Sequence, residues 1–280
     1  AIQDVISDLE SGKPMDRLIC GDVGFGKTEV AMRAMFLAVN SGYQVSVLVP
    51  TTLLARQHYE TFCTRFSGWP INIAQLSRLQ SRTAASDIRN DIAVGAVDVV
   101  VGTQKLLNSE LKFKKLGLLI IDEEHRFGVT QKEKIKSIKG DVHILTLTAT
   151  PIPRTLNMAL SGIRDLSLVA SPPKNRLAIK TFVSQYSEEI IQEAVLRELE
   201  RGGQVYFIHN EVKTISRVEN QLRKIVPEAR IGITHGQLSE KELERRMSEF
   251  YKGEANLLLS TTIVESGLDL PNANTIIINR

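Results

Sequence analysis

Short apolar runs alternate with amphipathic stretches along the first part of the chain. Near-continuous runs of valine, isoleucine and leucine indicate strands that are buried on both faces, as in a parallel sheet covered by helices. A helical pattern over Ala31–Val39 separates the first two runs and is closed by Ser41 and Gly42. The predicted strands of this part are Arg17–Cys20, Gln44–Val49, Asp98–Val101, Leu118–Ile121 and Ile144–Leu147.

A proline-rich segment at 171–176 interrupts this pattern, and the alternation then starts again. We predict helices over Glu188–Arg201 and Ile215–Ile225, and a third helix that a capping box of Ser239 and Glu242 opens. The predicted strands of this second part are Val205–Ile208, Asn256–Leu259 and Thr275–Ile278. The sequence therefore predicts an α/β protein of two units, 1–170 and 177–280, joined by the linker 171–176.

A glycine-rich segment between the first predicted strand and helix matches the pattern G-x-x-x-x-G-K-[ST], which binds nucleotide phosphates. Glycines let successive backbone N–H groups face the phosphates, and the following helix directs its positive end at them. Lys27 is expected to reach the β- and γ-phosphates, and the Thr28 hydroxyl to bind Mg²⁺. The predicted phosphate loop consists of Gly21, Asp22, Val23, Gly24, Phe25, Gly26, Lys27 and Thr28.

Two carboxylates, Asp122 and Glu123, follow directly after the predicted strand Leu118–Ile121. Open α/β sheets bind ligands at the carboxyl ends of their strands, so this position favours a functional role over a solvated loop. We expect Asp122 to hold Mg²⁺ and Glu123 to activate the attacking water. The reaction would be metal-assisted phosphoryl transfer from a nucleoside triphosphate, with Lys27 as the third catalytic residue.

Composition limits the class of protein only weakly. Charged residues make up 24% of the 280 residues and the net charge is +3, a slight indication of a polyanionic partner. No apolar run approaches the ~20 residues of a membrane helix, and the first residues lack the pattern of a signal peptide. Cys20 and Cys63 are far apart in sequence, which favours reduced thiols in a cytoplasmic protein.

The run Asp122–His125, with sequence DEEH, resembles the motif of the DExH helicases of superfamily 2. Other runs resemble further motifs of these helicases and occur in the expected order. Taken singly, motifs Ia, Ib and IV could each be an ordinary strand-end loop, but together and in order the motifs are highly specific. They are Pro50–Gln57 for motif Ia, Val101–Leu107 for Ib, Thr148–Pro151 for III, Tyr206–Asn210 for IV and Ser260–Asp269 for V.

Longer strings are similar to two groups within the superfamily, the bacterial transcription-repair coupling factors and the helicases that remodel stalled replication forks. These strings are 21–34, 122–129 and 148–155, the last with sequence TATPIPRT. Phe25, Glu124 and the segments 156–159 and 265–271 favour the coupling factors. The resemblance covers essentially the whole chain and implies two RecA-like domains in tandem. It also implies ATP and Mg²⁺ as cofactors and double-stranded DNA as the nucleic acid along which the motor moves.

The resemblance also implies roles for individual residues. Phosphate contacts carry no sequence information, which suits a motor that moves on any sequence. The DNA contacts expected from the motifs are Thr51, Arg56, Thr103, Lys105 and Thr262. Gly267 and Asp269 are expected to contact nucleotide from the second domain. The residues expected to couple the nucleotide site to the rest of the motor are His125, Thr148, Thr150 and Arg154, of which Arg154 is equally suited to a DNA contact or a structural ion pair.

By the same resemblance, the chain is expected to begin just after an adenine-reading glutamine motif and to end before motif VI. The second domain would then be truncated, and ATP turnover slow. RNA polymerase and nucleotide-excision repair proteins would bind to domains outside these residues. Three other readings stay open: a fork-remodelling helicase, an RNA helicase, against which the absence of a D-E-A-D box counts, and a nucleotide-binding scaffold without turnover.

Overall fold

The computed structural model divides into two compact units, Ala1–Leu177 and Ala178–Arg280, which are described separately. The linker boundaries 171–176 stay a prediction, because most of that segment lies outside the residues that the structure describes. The described residues are 1–78, 80–108, 111–138, 140–149, 164–172, 179–261, 268–270 and 272–279.

The first unit is built on a seven-stranded parallel sheet with strand order β3-β4-β2-β5-β6-β1-β7. In β5 the five residues from Gly117 to Ile121 are all buried, so helices must cover both faces of the sheet. The strands are β1 Asp16–Gly21, β2 Gln44–Leu48, β3 Ile73–Leu76, β4 Val99–Gly102, β5 Leu116–Asp122, β6 His143–Thr148 and β7 Asp165–Val169.

Five described helices accompany this sheet: α1 Ile2–Glu10, α2 Lys27–Asn40, α3 Thr52–Arg65, α4 Arg82–Val94 and α5 Val129–Ile138. One core cluster joins Leu119 and Ile121 of β5 to Ile92 of α4 and Ile135 of α5. Burying side chains of this size fully stabilises a fold by about 1.5–3 kcal/mol each. Packing therefore fixes the carboxyl end of β5, where the predicted catalytic carboxylates lie.

The second unit contains a four-stranded parallel sheet with order β11-β8-β10-β9. Its strands are β8 Val205–His209, β9 Ile231–Thr234, β10 Leu257–Ser260 and β11 Thr275–Asn279. Its described helices are α6 Glu188–Glu200, α7 Ile215–Ile225 and α8 Glu240–Tyr251. Val195, Phe207, Leu222 and Leu259 are nearly inaccessible and lie in one cluster, so helices and strands share a single core.

The capping box predicted at α8 is only half formed. The Ser239 hydroxyl accepts a hydrogen bond from the backbone N–H of Glu242 at 3.2 Å, as a helix N-cap should. The Glu242 carboxylate instead forms ion pairs with Arg245 and Arg246, three and four residues further along. Charge pairing on the helix surface has replaced the reciprocal bond.

The predicted strand positions agree with the structure, and the start of the second helix differs. The apolar pattern begins at Ala31, whereas α2 begins at Lys27. α2 begins with the last two phosphate-loop residues, Lys27 and Thr28, which carry no apolar periodicity. No helix in the described part of the chain combines the length and the apolar character that crossing a membrane requires.

His143, the first residue of β6, is expected to make the stability of the first unit fall at acid pH. Its Nδ1 accepts a hydrogen bond from the backbone N–H of Met15 at 3.0 Å, and burial lowers its pKa below 6.5, with Asp8 partly opposing the shift. The unfolded chain then binds more protons, so this contribution is complete above pH 6.5 and is lost as the pH falls through 6.5 to the folded pKa.

Urea unfolding at a series of pH values, followed by Trp69 fluorescence, measures this effect. His143→Asn keeps an acceptor for Met15 but cannot titrate, so its stability should decline less below pH 6.5 than that of the wild type. Identical declines in the two proteins would contradict the role of His143.

Candidate nucleotide and nucleic-acid site

The phosphate loop joins β1 to α2 with a backbone that only glycine adopts without strain. Gly24 and Gly26 have φ values of 76° and 85°, in the left-handed region. Gly26 is also the N-cap of α2, and no side chain caps this helix end. The first N–H groups of α2 therefore point into the loop, as anion binding at a helix N-terminus requires.

Lys27 lies within the curve of this loop. Its Nζ donates hydrogen bonds to the carbonyl oxygens of Gly21 at 2.8 Å and Asp22 at 3.0 Å. The backbone N–H of Phe25 donates to the Asp22 carbonyl at 3.2 Å and closes a turn between them. Thr28, the next residue on α2, is half-buried beside Lys27. Two backbone carbonyl oxygens thus hold the Lys27 ammonium inside the loop.

Asp122 is the last residue of β5 and is in contact with a histidine from α3. Its Oδ2 lies 3.0 Å from Nε2 of His58, and the two side chains are only 16% and 12% exposed. Sequence spacing did not suggest this pair, because the two residues are 64 positions apart. An oxygen ligand in this place fits Mg²⁺, which prefers carboxylates and water.

Glu123 has an unusual backbone conformation. Among the residues that the structure describes, it is the one non-glycine residue with positive φ, at 51°. Such strain persists only where surrounding contacts impose it, and it is concentrated at functional sites. Here the backbone N–H of Glu123 donates to the carbonyl of Leu147 at 2.9 Å, which ties the residue to β6.

The buried carboxylate of Glu123 is held from the end of β6. Oε1 accepts a hydrogen bond from the backbone N–H of Ala149 at 3.2 Å, and Oε2 accepts a longer one from the Thr148 hydroxyl at 3.4 Å. His125 Nδ1 lies 3.2 Å from Oε2. Two residues predicted to couple the site, His125 and Thr148, therefore contact the predicted base directly.

Strand order brings these groups together. β5, β6 and β1 are neighbours, so the ends carrying Asp122, Thr148 and the phosphate loop meet at one edge of the sheet. Cys20, at the end of β1, lies in the same environment. Burial raises the pKa of its thiol, and both Lys27 and Glu123 are close enough to shift that pKa electrostatically. The site is compact and contains both cationic and anionic groups.

The described residues predicted to touch DNA follow β2 and β4, on the other half of the same edge. Thr51 caps α3, its hydroxyl accepting a hydrogen bond from the backbone N–H of Leu54 at 3.3 Å. Arg56 forms an ion pair with Glu60 at 2.8 Å. Lys105 Nζ donates to the carbonyl oxygen of Ser77, after β3, at 3.1 Å. Thr103 is buried.

Several predicted site residues lie outside the described part of the chain: Thr150, Arg154, Thr262 and Gly267. Asp269 is described and is exposed in the second unit, after β10. Their roles stay predictions.

The structure adds a second set of contacts that the sequence reasoning missed. Arg164 is buried just before β7 and forms ion pairs with Glu124 at 2.7 Å and Asp16 at 2.9 Å. It also donates a hydrogen bond to the hydroxyl of Thr146. The third residue of the DEEH run is therefore attached to the core through Arg164. In the sequence, Arg164 stands alone in the run GIRDLS, and no motif or spacing there indicates this role.

Comparison with known proteins identifies the family. The model of the DEAD/DEAH box helicase family matches residues 2–159. The chain belongs to this family. The model of the helicase conserved C-terminal domain matches residues 187–280. The chain therefore contains two RecA-like helicase domains in tandem, as predicted.

Curated relatives of this helicase chain are similar along its full length. It is 58% identical over 280 residues to the transcription-repair-coupling factor of Escherichia coli strain K12, covering 100% of the chain and 24% of that relative. It is 53% identical over 278 residues to the factor of the same name from Bacillus subtilis strain 168, covering 99% of the chain and 24% of the relative. The chain therefore spans about a quarter of the length of these relatives.

Solved structures support the same fold. RecG bound to a three-way DNA junction superimposes with a TM-score of 0.80 at 36% identity, over 98% of this helicase chain and 37% of RecG. Dbp5 of S. cerevisiae bound to RNA and ADP BeF3 gives a TM-score of 0.69 at 20% identity, over 98% and 73% of the two chains. At that identity the second likeness bears on the fold alone.

Proposed function

We propose that this chain is the ATP-driven motor of a double-stranded DNA translocase, in a protein that couples transcription to DNA repair. The observation that carries the proposal is the 58% identity, over all 280 residues, to a protein named transcription-repair-coupling factor. In this proposal the longer protein uses ATP hydrolysis to move on DNA and displace stalled RNA polymerase. RNA polymerase and nucleotide-excision repair proteins bind outside these residues, in the cytoplasm.

The geometry at the carboxyl ends of β1, β5 and β6 supports ATP hydrolysis. Lys27 and the N-terminus of α2 hold the phosphates, and Thr28 and Asp122 hold Mg²⁺. Bound Mg²⁺ neutralises charge that develops on the phosphates during transfer. Glu123, oriented through Thr148 and Ala149, accepts a proton from the attacking water. Gly267 and Asp269 remain the proposed nucleotide ligands of the second domain.

DNA binding belongs to the other half of the same edge. β3, β4 and β2 are neighbours, so the segments with Ser77, Thr103 and Thr51 lie side by side. A helix N-terminus at Thr51 and the cations Arg56 and Lys105 suit phosphate oxygens rather than bases. Thr262 completes the proposed contacts from the second domain. The likeness to RecG, solved with a DNA junction, supports DNA as the nucleic acid.

We expect the affinity for duplex DNA to decrease as the salt concentration rises and to be independent of the DNA sequence. If two cations contact phosphates, affinity should drop roughly 10-fold between 50 and 200 mM salt. We would measure anisotropy of two unrelated labelled duplexes with a non-hydrolysable ATP analogue and Mg²⁺. Lys105→Ala should reduce the slope of log affinity against log salt by about 1.

Lys13→Ala is the matched control, because Lys13 is exposed just before β1, at the opposite edge of the sheet. It should leave the slope unchanged. A flat salt response, or strong preference for one duplex, would contradict the proposed DNA contacts.

The likeness to RecG keeps a fork-remodelling motor as the second candidate. Equal affinity per site for a linear duplex and a three-way junction favours the translocase. A strong preference for the junction favours fork remodelling. If the chain binds nucleotide but not DNA, the result favours the hypothesis of a nucleotide-binding scaffold without turnover.

A further inference from the structure

The contact between His58 and Asp122 has no role in the chemistry described above. His58 lies in the second turn of α3, and its Nε2 is 3.0 Å from Oδ2 of Asp122. An ionised carboxylate only accepts hydrogen bonds, so Nε2 carries the proton and donates. The His58 ring also packs against Phe62, with ring centroids 5.4 Å apart. Both ends of the contact are therefore fixed, one by packing and the other by β5.

This contact crosses the boundary between the two halves of the sheet edge. β2 is the neighbour of both β4, on the nucleic-acid half, and β5, on the nucleotide half. α3 follows β2, is capped by Thr51 and carries Arg56. From Thr52 to His58 the helix rises about 9 Å. A single rigid helix thus joins the proposed DNA contacts to the carboxylate that is proposed to hold Mg²⁺.

We propose that His58 is a positioning residue that orients Asp122 for Mg²⁺ and transmits DNA binding at α3 to the metal site. The inference rests on the proposed function. A hydrogen bond to one oxygen of a metal-binding carboxylate fixes the plane of the group, and loss of such a partner typically weakens metal affinity or activity 10- to 100-fold. Coupling between two sites is carried by a rigid element whose two arrangements both sites bias, and α3 is proposed as that element.

Two substitutions separate hydrogen bonding from packing. His58→Phe keeps an aromatic ring against Phe62 and removes the donor. His58→Gln places an amide N–H close to the position of Nε2. We expect His58→Phe to lower the Mg²⁺-dependent gain in nucleotide affinity by about 10-fold, and His58→Gln to recover most of that loss.

The measurement is a titration of a fluorescent, non-hydrolysable ATP analogue over a range of Mg²⁺ concentrations and in EDTA. Affinity in EDTA should be the same in all variants, since only the metal ligand is affected. A variant that merely damaged the fold would lose affinity in EDTA as well. In an Asp122→Asn background, His58→Phe should have no further effect, because the two residues act as one unit.

A separate measurement tests whether His58 transmits DNA binding to the metal site. In the wild-type chain, saturating duplex DNA should lower the Mg²⁺ concentration that gives half-maximal nucleotide binding. In His58→Phe this shift should disappear, while His58→Gln should keep it. By linkage, Mg²⁺ with nucleotide should also strengthen DNA binding in the wild type and fail to do so in His58→Phe.

The outcomes distinguish this inference from the proposed function. If Mg²⁺ does not strengthen nucleotide binding in the wild-type chain, the proposed function fails and the inference fails with it. If the wild type responds and His58→Phe responds equally, only the role of His58 is overturned. If His58→Phe loses the Mg²⁺ response but keeps the DNA-induced shift, transmission through His58 is overturned.

Discussion

Glu123→Gln is expected to keep ATP bound and to slow its hydrolysis by about 10²–10⁴-fold, the usual contribution of a positioned general base. Glutamine has the shape of glutamate, and its amide oxygen can still accept the hydrogen bond from the N–H of Ala149. It cannot take a proton from water at neutral pH. Because Glu123 is buried, a water molecule from bulk solvent cannot easily act as the base in its place. The loss of hydrolysis rate should therefore be large.

Lys27→Ala is the contrasting variant and should weaken binding itself. A hydrogen bond from a charged donor contributes about 1.5–3 kcal/mol, which corresponds to roughly 10- to 100-fold in affinity. Titration with a fluorescent nucleotide gives the binding constants, and single-turnover release of labelled phosphate gives the hydrolysis rates. Equal losses of binding in the two variants would contradict this division of roles between phosphate binding and water activation.

The nucleotide half of the site was predictable from sequence because its signals are local. A run of apolar residues specifies each buried strand, and the polar residues that follow it must emerge at the carboxyl end. Gly24 and Gly26 are required by positive φ, and Lys27 is fixed by its place in the loop. The ends of β1, β5 and β6 and the motifs that follow them could therefore be predicted from short segments. The start of α2 could not be predicted in this way, because its first two residues, Lys27 and Thr28, belong to the phosphate loop.

The helices with weaker patterns were not predicted. α1 has apolar residues at Ile2, Val5, Ile6 and Leu9, a helical spacing that was available but unused. α3 carries polar side chains on much of its surface, and its first residues were interpreted only as a motif. Edge strand β3, with three half-buried residues among its four, has a pattern too short to separate from a loop. Tertiary packing, not local preference, decides α3 and β3.

Contacts between distant segments were beyond sequence reasoning altogether. His58 reaches Asp122 across 64 positions, and Arg164 reaches Glu124 across 40. Both contacts depend on which strands are neighbours, and a single sequence does not encode strand order in any local pattern. The roles expected of His125 and Thr148 came from family resemblance, and the structure adds that both side chains contact the carboxylate of Glu123.

Arg164→Met is expected to destabilise the first unit by about 3 kcal/mol, the lower end of the range for breaking a buried ion pair. The Arg164 side chain is 4% exposed, and its partners Glu124 and Asp16 are each 25% exposed. Methionine fills much of the space but removes the positive charge that both carboxylates face. Urea unfolding followed by fluorescence of Trp69, the single tryptophan, reports on the first unit.

Arg33→Met is the matched control in the same unit, since the Arg33 side chain is 55% exposed and pairs with Glu29 on the surface of α2. It should change stability little. Adding Asp16→Asn and Glu124→Gln to Arg164→Met should restore part of the loss, because the uncompensated charges, not the lost volume, account for most of it. If the triple variant is no more stable than Arg164→Met, packing dominates instead. If Arg164→Met unfolds like the wild type, this ion-pair network does not hold Glu124 and the end of β5 in place.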